Sequence, residues 1–240
     1  MLSHIKLQNV LLLDIETVPA AKHFEDLDER WQKLWAHKAQ FIAKNGESPS
    51  EIYQRAGIYA EFGKIVCISV GIFIPNGEHF SFKTKSYANH DERILLIEFC
   101  DLLSTKFTGN NKVLCAHNGK EFDFPYIARR VLVNGLFLPD HLDIAGKKPW
   151  EINHLDSMEL WKFGDYKNFT SLDLLAAIFD IPTPKDDIDG SMVAKVYYED
   201  NNLPRIARYC EKDVITLANL LLRYKGKKVL SDENIQHSED

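Results

Sequence analysis

The order of apolar segments along the chain predicts a mixed α/β fold, in which a sheet is flanked by helices. Two nearly continuous apolar runs, IVCISVGIFI at 65–74 and KVLCA at 112–116, indicate strands that are covered on both faces. Segments with helical periodicity alternate with these runs, and the longest of them spans 203–224. The predicted order is strand, helical insertion, strand hairpin, helix, strand, helix, strand and helices.

The first half of the chain begins with a buried strand, Asn9–Asp14, which we expect to end at its acidic residue. Charged residues separate apolar ones at helical spacing after it, and we therefore assign residues 19–62 to a helical insertion. The turn sequence Pro75–Asn76–Gly77 predicts that residues 78–84 return as an antiparallel strand.

The second half is predicted to alternate short strands and helices, and it ends in a polar tail. Capping residues favour a helix that starts at Thr170 or Ser171, and Pro204 suits the first turn of the last helix. We expect a single domain at 1–228 and a disordered tail at 229–240. The remaining predicted elements are helices at 91–107 and 121–133 and a short strand at 150–155.

Composition limits the class of protein. The chain has 240 residues, 45% of them hydrophobic, which suffices for a buried core, and no apolar run approaches the roughly 20 residues that span a bilayer. The first residues lack the features of a secretory signal, and the four cysteines show no paired spacing. We expect a cytoplasmic protein with reduced thiols and no membrane partner. A net charge of −6 argues only weakly against a nucleic-acid partner, because bound cations would offset clustered acids.

Three short signatures carry the chemistry: LLLDIET, HNGKEFD and YCEKD. Asp14 and Glu16 are two apart and therefore share one face of a strand, whereas Tyr209 and Asp213 are four apart and share one face of a helix. Together with Asp123 they form a candidate acidic site. Carboxylates that converge repel one another unless cations occupy the site, and Mg²⁺ or Mn²⁺ are the hard ions that prefer oxygen ligands.

Each signature has a structural alternative when it is taken alone. Asp123 suits the N-terminus of any helix, and Asn118 before Gly119 suits a turn. Tyr209 and Asp213 also suit an amphipathic helix with a half-buried ring and a solvated acid. The four tryptophans favour packing in the core or at an interface over base stacking. Nothing in the sequence alone proves that the three signatures meet.

Taken together and in order, the three signatures resemble the DEDD superfamily of 3′–5′ exonucleases, in its subgroup with tyrosine in the third motif. Within it, the chain is similar to stand-alone proteins related to the proofreading domain of family B DNA polymerases. HNGKEFDFPYI matches the second motif, and TSLDLLAAIFDIP followed by DGSMV is similar to the stretch before the third. The resemblance covers Val10 to Tyr224. It implies a ribonuclease H-like fold with a mixed five-stranded sheet and the helical insertion after the first strand.

The resemblance also implies roles for individual residues. Asp14, Glu16 and Asp213 would hold a first divalent cation, Asp14 would bridge to a second, and Asp123 would complete the acidic set. Tyr209 would orient the attacking water. Contacts to the terminal nucleotides are expected from three further residues: Thr17, Asn118 and Phe122.

The function expected on this basis is two-metal hydrolysis of single-stranded DNA from its 3′ end, which releases nucleoside 5′-monophosphates. An RNA exonuclease that uses the same site, an inactive nucleic-acid-binding or adaptor protein, and a metal-binding structural protein are the alternatives. A separate polymerase or repair protein is a possible partner. The role of the insertion and the oligomeric state stay open.

Overall fold

The computed structural model describes residues 2–77, 79–165, 169–183 and 188–238. Within these residues, one sheet has six strands in the order β5-β4-β1-β2-β3-β6. Strand β1 runs antiparallel to β2 and parallel to β4, which places it inside the sheet. The strands are β1 Val10–Pro19, β2 Gly63–Asn76, β3 His79–Ala88, β4 Val113–Ala116, β5 Leu155–Asp156 and β6 Ile235–His237.

Helices cover both faces of this sheet, which confirms the predicted mixed α/β class. The helices are α1 Glu29–Ala39, α2 Glu92–Asp101, α3 Asp123–Val133, α4 Ser157–Lys162, α5 Leu172–Ile178, α6 Val193–Tyr198 and α7 Leu203–Tyr224. A π-helical turn, Leu102–Lys106, extends α2, so that the predicted helix at 91–107 has an irregular end. The predicted bounds of the longest helix, 203–224, agree with α7, and Ser171 caps α5 as expected.

Strand β1 divides its side chains between the two faces. Leu11, Leu13 and Ile15 pack in the core that includes residues of α2 and α3. Val10 and Leu12 pack with residues of α5 and α7 on the other face. Because side chains alternate along a strand, the even-numbered positions of β1 point toward α7.

Two sequence predictions about the sheet need correction. The first strand does not end at Asp14 but continues to Pro19, because β2 pairs with it along its whole length. The sheet has six strands rather than five, since Ile235–His237 adds beside β3 within the tail that was predicted to be disordered. The added strand lies parallel to β3, and Ser238 donates its backbone N–H to the carbonyl of Thr84 at 2.9 Å.

The segment at 19–62 contains α1, and 3₁₀ turns at Phe24–Asp26 and Tyr53–Ile58. It has a small core of its own around the buried Trp35 and Tyr53, whose rings meet edge to face at 5.7 Å. No helix in the described residues is long and apolar enough to cross a membrane. The predicted strand at 150–155 is mostly irregular, with a 3₁₀ turn at Pro149–Glu151 before the two-residue β5.

Candidate functional site

The first two candidate acids lie on the α7-facing side of β1. Asp14 is half-buried, and Glu16 is buried. Strand β4 pairs with β1 only at Val10, Leu11 and Leu12, so both acids lie past the end of that pairing. The register of β1 against β2 shifts between Glu16 and Thr17, which makes the pairing irregular next to Glu16. The sheet therefore leaves space beside Asp14 and Glu16 that other elements can reach.

The loop after β4 brings in the third acid. Asp123 is the first residue of α3, it is buried, and the backbone of Ile15 hydrogen-bonds to its carboxyl group. Gly119 allows the loop to pass close to the strand, because a Cβ at this position would lie 2.4 Å from that of Ala116. The tight loop thus directs α3 so that its first side chain faces β1.

A residue that the sequence analysis did not single out, Asp156, fixes this loop. Its carboxylate accepts the backbone N–H groups of Asn118 and Lys120 at 3.0 and 3.1 Å, and it also caps α4. The Ser157 hydroxyl hydrogen-bonds to His117 at 2.8 Å. The signal that could have identified Asp156 is its position directly before a helical segment, where aspartate is a favoured cap. Because a strand was predicted at 150–155, Asp156 was not considered as a helix cap.

Helix α7 brings the third signature to the other two. Cys210 lies on its buried face, and its thiol donates to the backbone carbonyl and the carboxylate of Asp14 at 3.3 and 3.4 Å. Tyr209 and Asp213 are both half-buried, and the two side chains are hydrogen-bonded to each other. The sequence analysis did not name Cys210, although its spacing of four from Ile206 and Val214 follows the apolar stripe of the helix.

Burial and mutual repulsion shape the electrostatics of these acids. Burial is the main cause that raises the pKa of Asp14 well above its ordinary value, and the charges of Asp123 and Asp213 raise it further. The pKa of Glu16 is raised in the same way, by burial first and then by Asp14 and Asp213. Burial also raises the pKa of Asp123 to about 8. All four acids from the three signatures are therefore close enough to influence one another.

The donor set suits a hard divalent cation. Single ligand atoms of Asp14, Glu16 and Cys210 lie within 4.8 Å of one another. The pKa of the Cys210 thiol is raised well above its ordinary value by burial, which keeps it protonated. A protonated thiol is a poor ligand, and hard ions prefer oxygen, so the two carboxylates are the better donors of this group. Cys210 instead hydrogen-bonds to Asp14 and holds its orientation.

The three residues predicted to contact nucleotides lie in different surroundings. Thr17 is half-buried and hydrogen-bonds to the hydroxyl of Tyr126. Phe122 stacks obliquely on Tyr126 with ring centroids 5.4 Å apart. Asn118 has a positive φ of 62°, and its side-chain oxygen is buried without a hydrogen-bond partner among the described residues. The nucleotide contacts of all three stay predictions.

Comparisons with known proteins place the chain in a family and identify its fold. Residues 58–239 match the family described as "Predicted 3'-5' exonuclease related to the exonuclease domain of PolB". None of the curated proteins matches the sequence. Among solved structures, a family B DNA polymerase from the hyperthermophilic archaeon Pyrobaculum calidifontis is similar over 90% of this chain, with a TM-score of 0.52 and 15% identity. The chain spans 24% of that polymerase chain. At this identity the likeness shows a shared fold, and the matched range begins after the first signature.

Proposed function

This chain belongs to the family of predicted 3′–5′ exonucleases related to the exonuclease domain of PolB, and we propose that it is a metal-dependent exonuclease of the DEDD type with tyrosine in the third motif. It removes nucleoside 5′-monophosphates from the 3′ ends of single strands, with DNA as the favoured substrate. The observation that carries the proposal is the convergence of acids from three distant signatures on one partly buried site. Buried like charges are expensive unless cations compensate them.

Four carboxylates would hold the metal: Asp14, Glu16, Asp123 and Asp213. Their oxygen atoms match the ligand preference of Mg²⁺ and Mn²⁺. Divalent ions at such a site supply a lowered pKa of water and charge stabilisation at the leaving 3′ oxygen. The fold contributes the positions of the acids, because β1, α3 and α7 are each fixed by their own core contacts.

Tyr209 orients the attacking water rather than accepting its proton. Burial, followed by the charges of Asp213 and Glu16, raises the pKa of its phenol above the ordinary value. The phenol therefore stays protonated near neutral pH, and it can hydrogen-bond but does not act as a base. Its bond to Asp213 holds the ring beside the acids.

The loop of the second signature positions the 3′ end of the nucleic-acid strand. Asn118 and Phe122 flank the turn that leads into Asp123, and Asp156 fixes that turn through two backbone hydrogen bonds. Asn118 offers an amide for a terminal phosphate or sugar. A polymerase or repair protein is the proposed kind of partner that would supply such 3′ ends.

A time course on 5′-labelled single-stranded DNA and RNA of equal sequence tests the proposal, with magnesium, manganese or chelator. We expect a metal-dependent ladder that shortens one nucleotide at a time from the 3′ end. Asp14→Ala removes a metal ligand, and we expect it to lower the rate at least about 1,000-fold, equivalent to about 4 kcal/mol.

Asn9→Ala is a matched control, because this residue precedes β1 and lies outside the acidic site. Equal rates for Asp14→Ala and the wild-type protein would contradict the site assignment. No shortening of either strand with any metal would favour the binding or adaptor alternative. Faster shortening of RNA would reverse the proposed sugar preference and keep the mechanism.

A further inference from the structure

A large cavity adjoins the loop that carries the second signature. Its volume is about 750 Å³, and apolar residues of the α3 side, such as Leu132 and Leu142, form much of its wall. Asn118 and Lys120 line it too, and both belong to the loop that leads to Asp123. The loop that lines the cavity therefore leads directly into Asp123 of the acidic site, and a strand that ends at the acids could follow this loop into the cavity.

Three large aromatic side chains are exposed in segments that also contribute to the cavity wall or contact it. Trp150 is 75% exposed, Phe163 is 77% exposed and Phe169 is 69% exposed. Phe163 follows Lys162, which lines the cavity, and Trp150 lies between the lining residues Lys147 and Ile152. Trp150 is therefore not packed in the core of the chain. Single exposed rings are ordinary, but three beside the residues of one cavity wall indicate a binding surface.

The backbone at Phe163 strengthens this interpretation. Phe163 ends α4 with a φ of 46°, in the left-handed region that residues other than glycine and asparagine seldom adopt. The strained position presents the ring to solvent rather than to the core. The core therefore does not account for an aromatic side chain at this position, whereas a ligand that stacks on the ring would.

Cations accompany the rings. The ammonium of Lys162 lies 4.6 Å from the ring centre of Phe169, and that of Lys148 lies 5.2 Å from the ring centre of Trp150. Lys147 and Arg129 also line the cavity. We name these six residues the aromatic–basic surface: Lys147, Lys148, Trp150, Lys162, Phe163 and Phe169.

The acids of the cavity wall are largely committed to other groups. The carboxylate of Asp156 accepts backbone N–H groups, and Glu159 pairs with Lys120 at 2.7 Å. Glu121 is the remaining acid of the wall among the described residues. Four cations of the wall, Lys120, Arg129, Lys147 and Lys162, face these three acids, so cations are in slight excess here on a chain with a net charge of −6. Alternating rings and cations fit the bases and phosphates of a single strand.

We propose that the aromatic–basic surface binds the single-stranded nucleic acid several nucleotides before its 3′ end, with bases stacked on the rings and phosphates beside the lysines. This inference rests on the proposed function, because it takes the acidic site as the place where the strand ends. It assigns part of the substrate binding to residues outside the acidic site. Stacking is tolerant of sequence, so the surface would favour single strands of any composition over paired ends.

The test measures equilibrium binding of a 5′-fluorescein-labelled dT₁₂ oligonucleotide by anisotropy, in chelator so that no hydrolysis occurs. We expect Trp150→Ala and Phe169→Ala each to raise Kd about 5- to 10-fold, the lower end of the range for one stacked base. Phe163→Asn suits the left-handed backbone and should have a similar effect. Lys162→Gln should weaken binding and lower its salt dependence.

Two matched controls lie in the segment at 19–62. Phe41 is 74% exposed, and Phe41→Ala should leave Kd within twofold. Lys38 lies 4.4 Å from the ring centre of Tyr59, the same geometry as Lys162 and Phe169, and Lys38→Gln should also have no effect. Circular dichroism and thermal melting identify any variant that fails to fold.

A second probe separates stacking from a structural effect. A dT₁₂ strand with abasic sites at its six 5′ positions should bind the wild-type protein more weakly. It should lose little further affinity with Trp150→Ala, because the base that would stack on the ring is absent. Equal losses from the substitution with both probes would overturn the stacking proposal. A labelled (Glu)₁₂ peptide that binds as tightly as dT₁₂ and responds to the same substitutions would overturn it too, in favour of a general anion surface.

The outcome also separates this inference from the proposed exonuclease activity. With magnesium, the surface variants should raise KM for dT₁₂ and leave hydrolysis of a dT₃ trinucleotide unchanged, because three nucleotides do not reach the surface. Hydrolysis with no effect of the variants on dT₁₂ binding would overturn the surface and keep the activity. Weakened dT₁₂ binding without hydrolysis would keep the surface and contradict the activity.

Discussion

Two buried glutamates in this protein have the same exposure and opposite surroundings. Glu92 and Glu16 are each 7% exposed. The carboxylate of Glu92 accepts hydrogen bonds from the guanidinium of Arg130 at 2.6 and 2.9 Å. It also accepts from the backbone N–H of Ile65 at 2.7 Å and the side-chain amide of Asn134 at 2.9 Å. Within the part of the chain that the structure describes, no ion pair reaches Glu16, Asp14 or Asp123.

The difference separates an acid that the fold pairs with a cation from acids that it does not pair with one. The fold supplies the cation for Glu92, because α3 carries Arg130 on the face that packs against α2. Beside Glu16 the fold supplies further carboxylates instead, and they raise its pKa. Buried like charges of this kind are compensated either by protons or by an external cation, and the proposed function assigns the cation to this site. Four substitutions or additions test this comparison.

The largest expected effect on stability comes from breaking the ion pair between Glu92 and Arg130. Arg130→Met leaves Glu92 buried without its cation, and we expect the free energy of unfolding to fall by about 3–5 kcal/mol. Urea denaturation followed by circular dichroism measures it. Arg129→Met is the control, because that neighbour is exposed and should change stability by less than about 0.5 kcal/mol. A loss under about 1 kcal/mol for Arg130→Met would show that the pair is not a structural anchor.

Addition of a divalent cation should instead raise the free energy of unfolding, through binding at the acidic site. Magnesium or manganese at about 100 times its Kd should add about 2.7 kcal/mol to the free energy of unfolding, since it binds the folded chain. For a chain of this size, Tm should rise by about 5–10 °C. Differential scanning calorimetry with sodium chloride at equal ionic strength measures the difference. The same rise in Asp14→Asn would place the cation elsewhere.

Removal of one like charge should stabilise the metal-free protein. The folded pKa of Asp123 is raised to about 8, above its ordinary value, so its proton stabilises the fold at low pH. This contribution is lost as pH rises from about 4 through about 8. Asp123→Asn has no proton to lose, and its advantage over the wild-type protein should grow across this window to about 1–3 kcal/mol.

Urea denaturation in chelator at pH 4.5, 6.5 and 8.5 follows this change. Glu121→Gln is the matched control, because this nearby acid is exposed, and it should show no such trend. An advantage of Asp123→Asn that shrinks as pH rises would contradict the raised pKa that burial gives Asp123.

The smallest expected effect concerns orientation rather than charge. Tyr209→Phe removes one hydroxyl from the acidic site, and we expect the rate of nucleotide release to fall about tenfold, equivalent to about 1.4 kcal/mol. The dependence on metal concentration should stay the same, because the acids are intact. Tyr198→Phe is the control: its hydroxyl donates to the carbonyl of Pro19 at 2.6 Å, away from the acids. A large shift in metal affinity would instead make Tyr209 part of the cation site.

The sequence predicted the longest elements well because their patterns are strong. The period of apolar residues from Leu203 to Tyr224 is maintained over 22 residues, and the observed helix has these bounds. The predicted end of the first strand was wrong. A charged residue inside a strand interrupts the apolar run, and only the pairing with β2 shows that the strand continues. The short β6 carries no pattern of its own and depends on β3.

The sequence by itself determined which residues are chemically suited to the site and how they are spaced within each signature. Local geometry is enough for that, since a spacing of two on a strand or four on a helix places side chains on one face. The tertiary structure decided that the three signatures meet, that Asp156 fixes the loop before Asp123, and that Cys210 hydrogen-bonds to Asp14. It also left Trp150, Phe163 and Phe169 exposed beside residues that line or contact one cavity. These are contacts between residues far apart in the chain, and the packing of the helices against the sheet produces them, which no local pattern encodes.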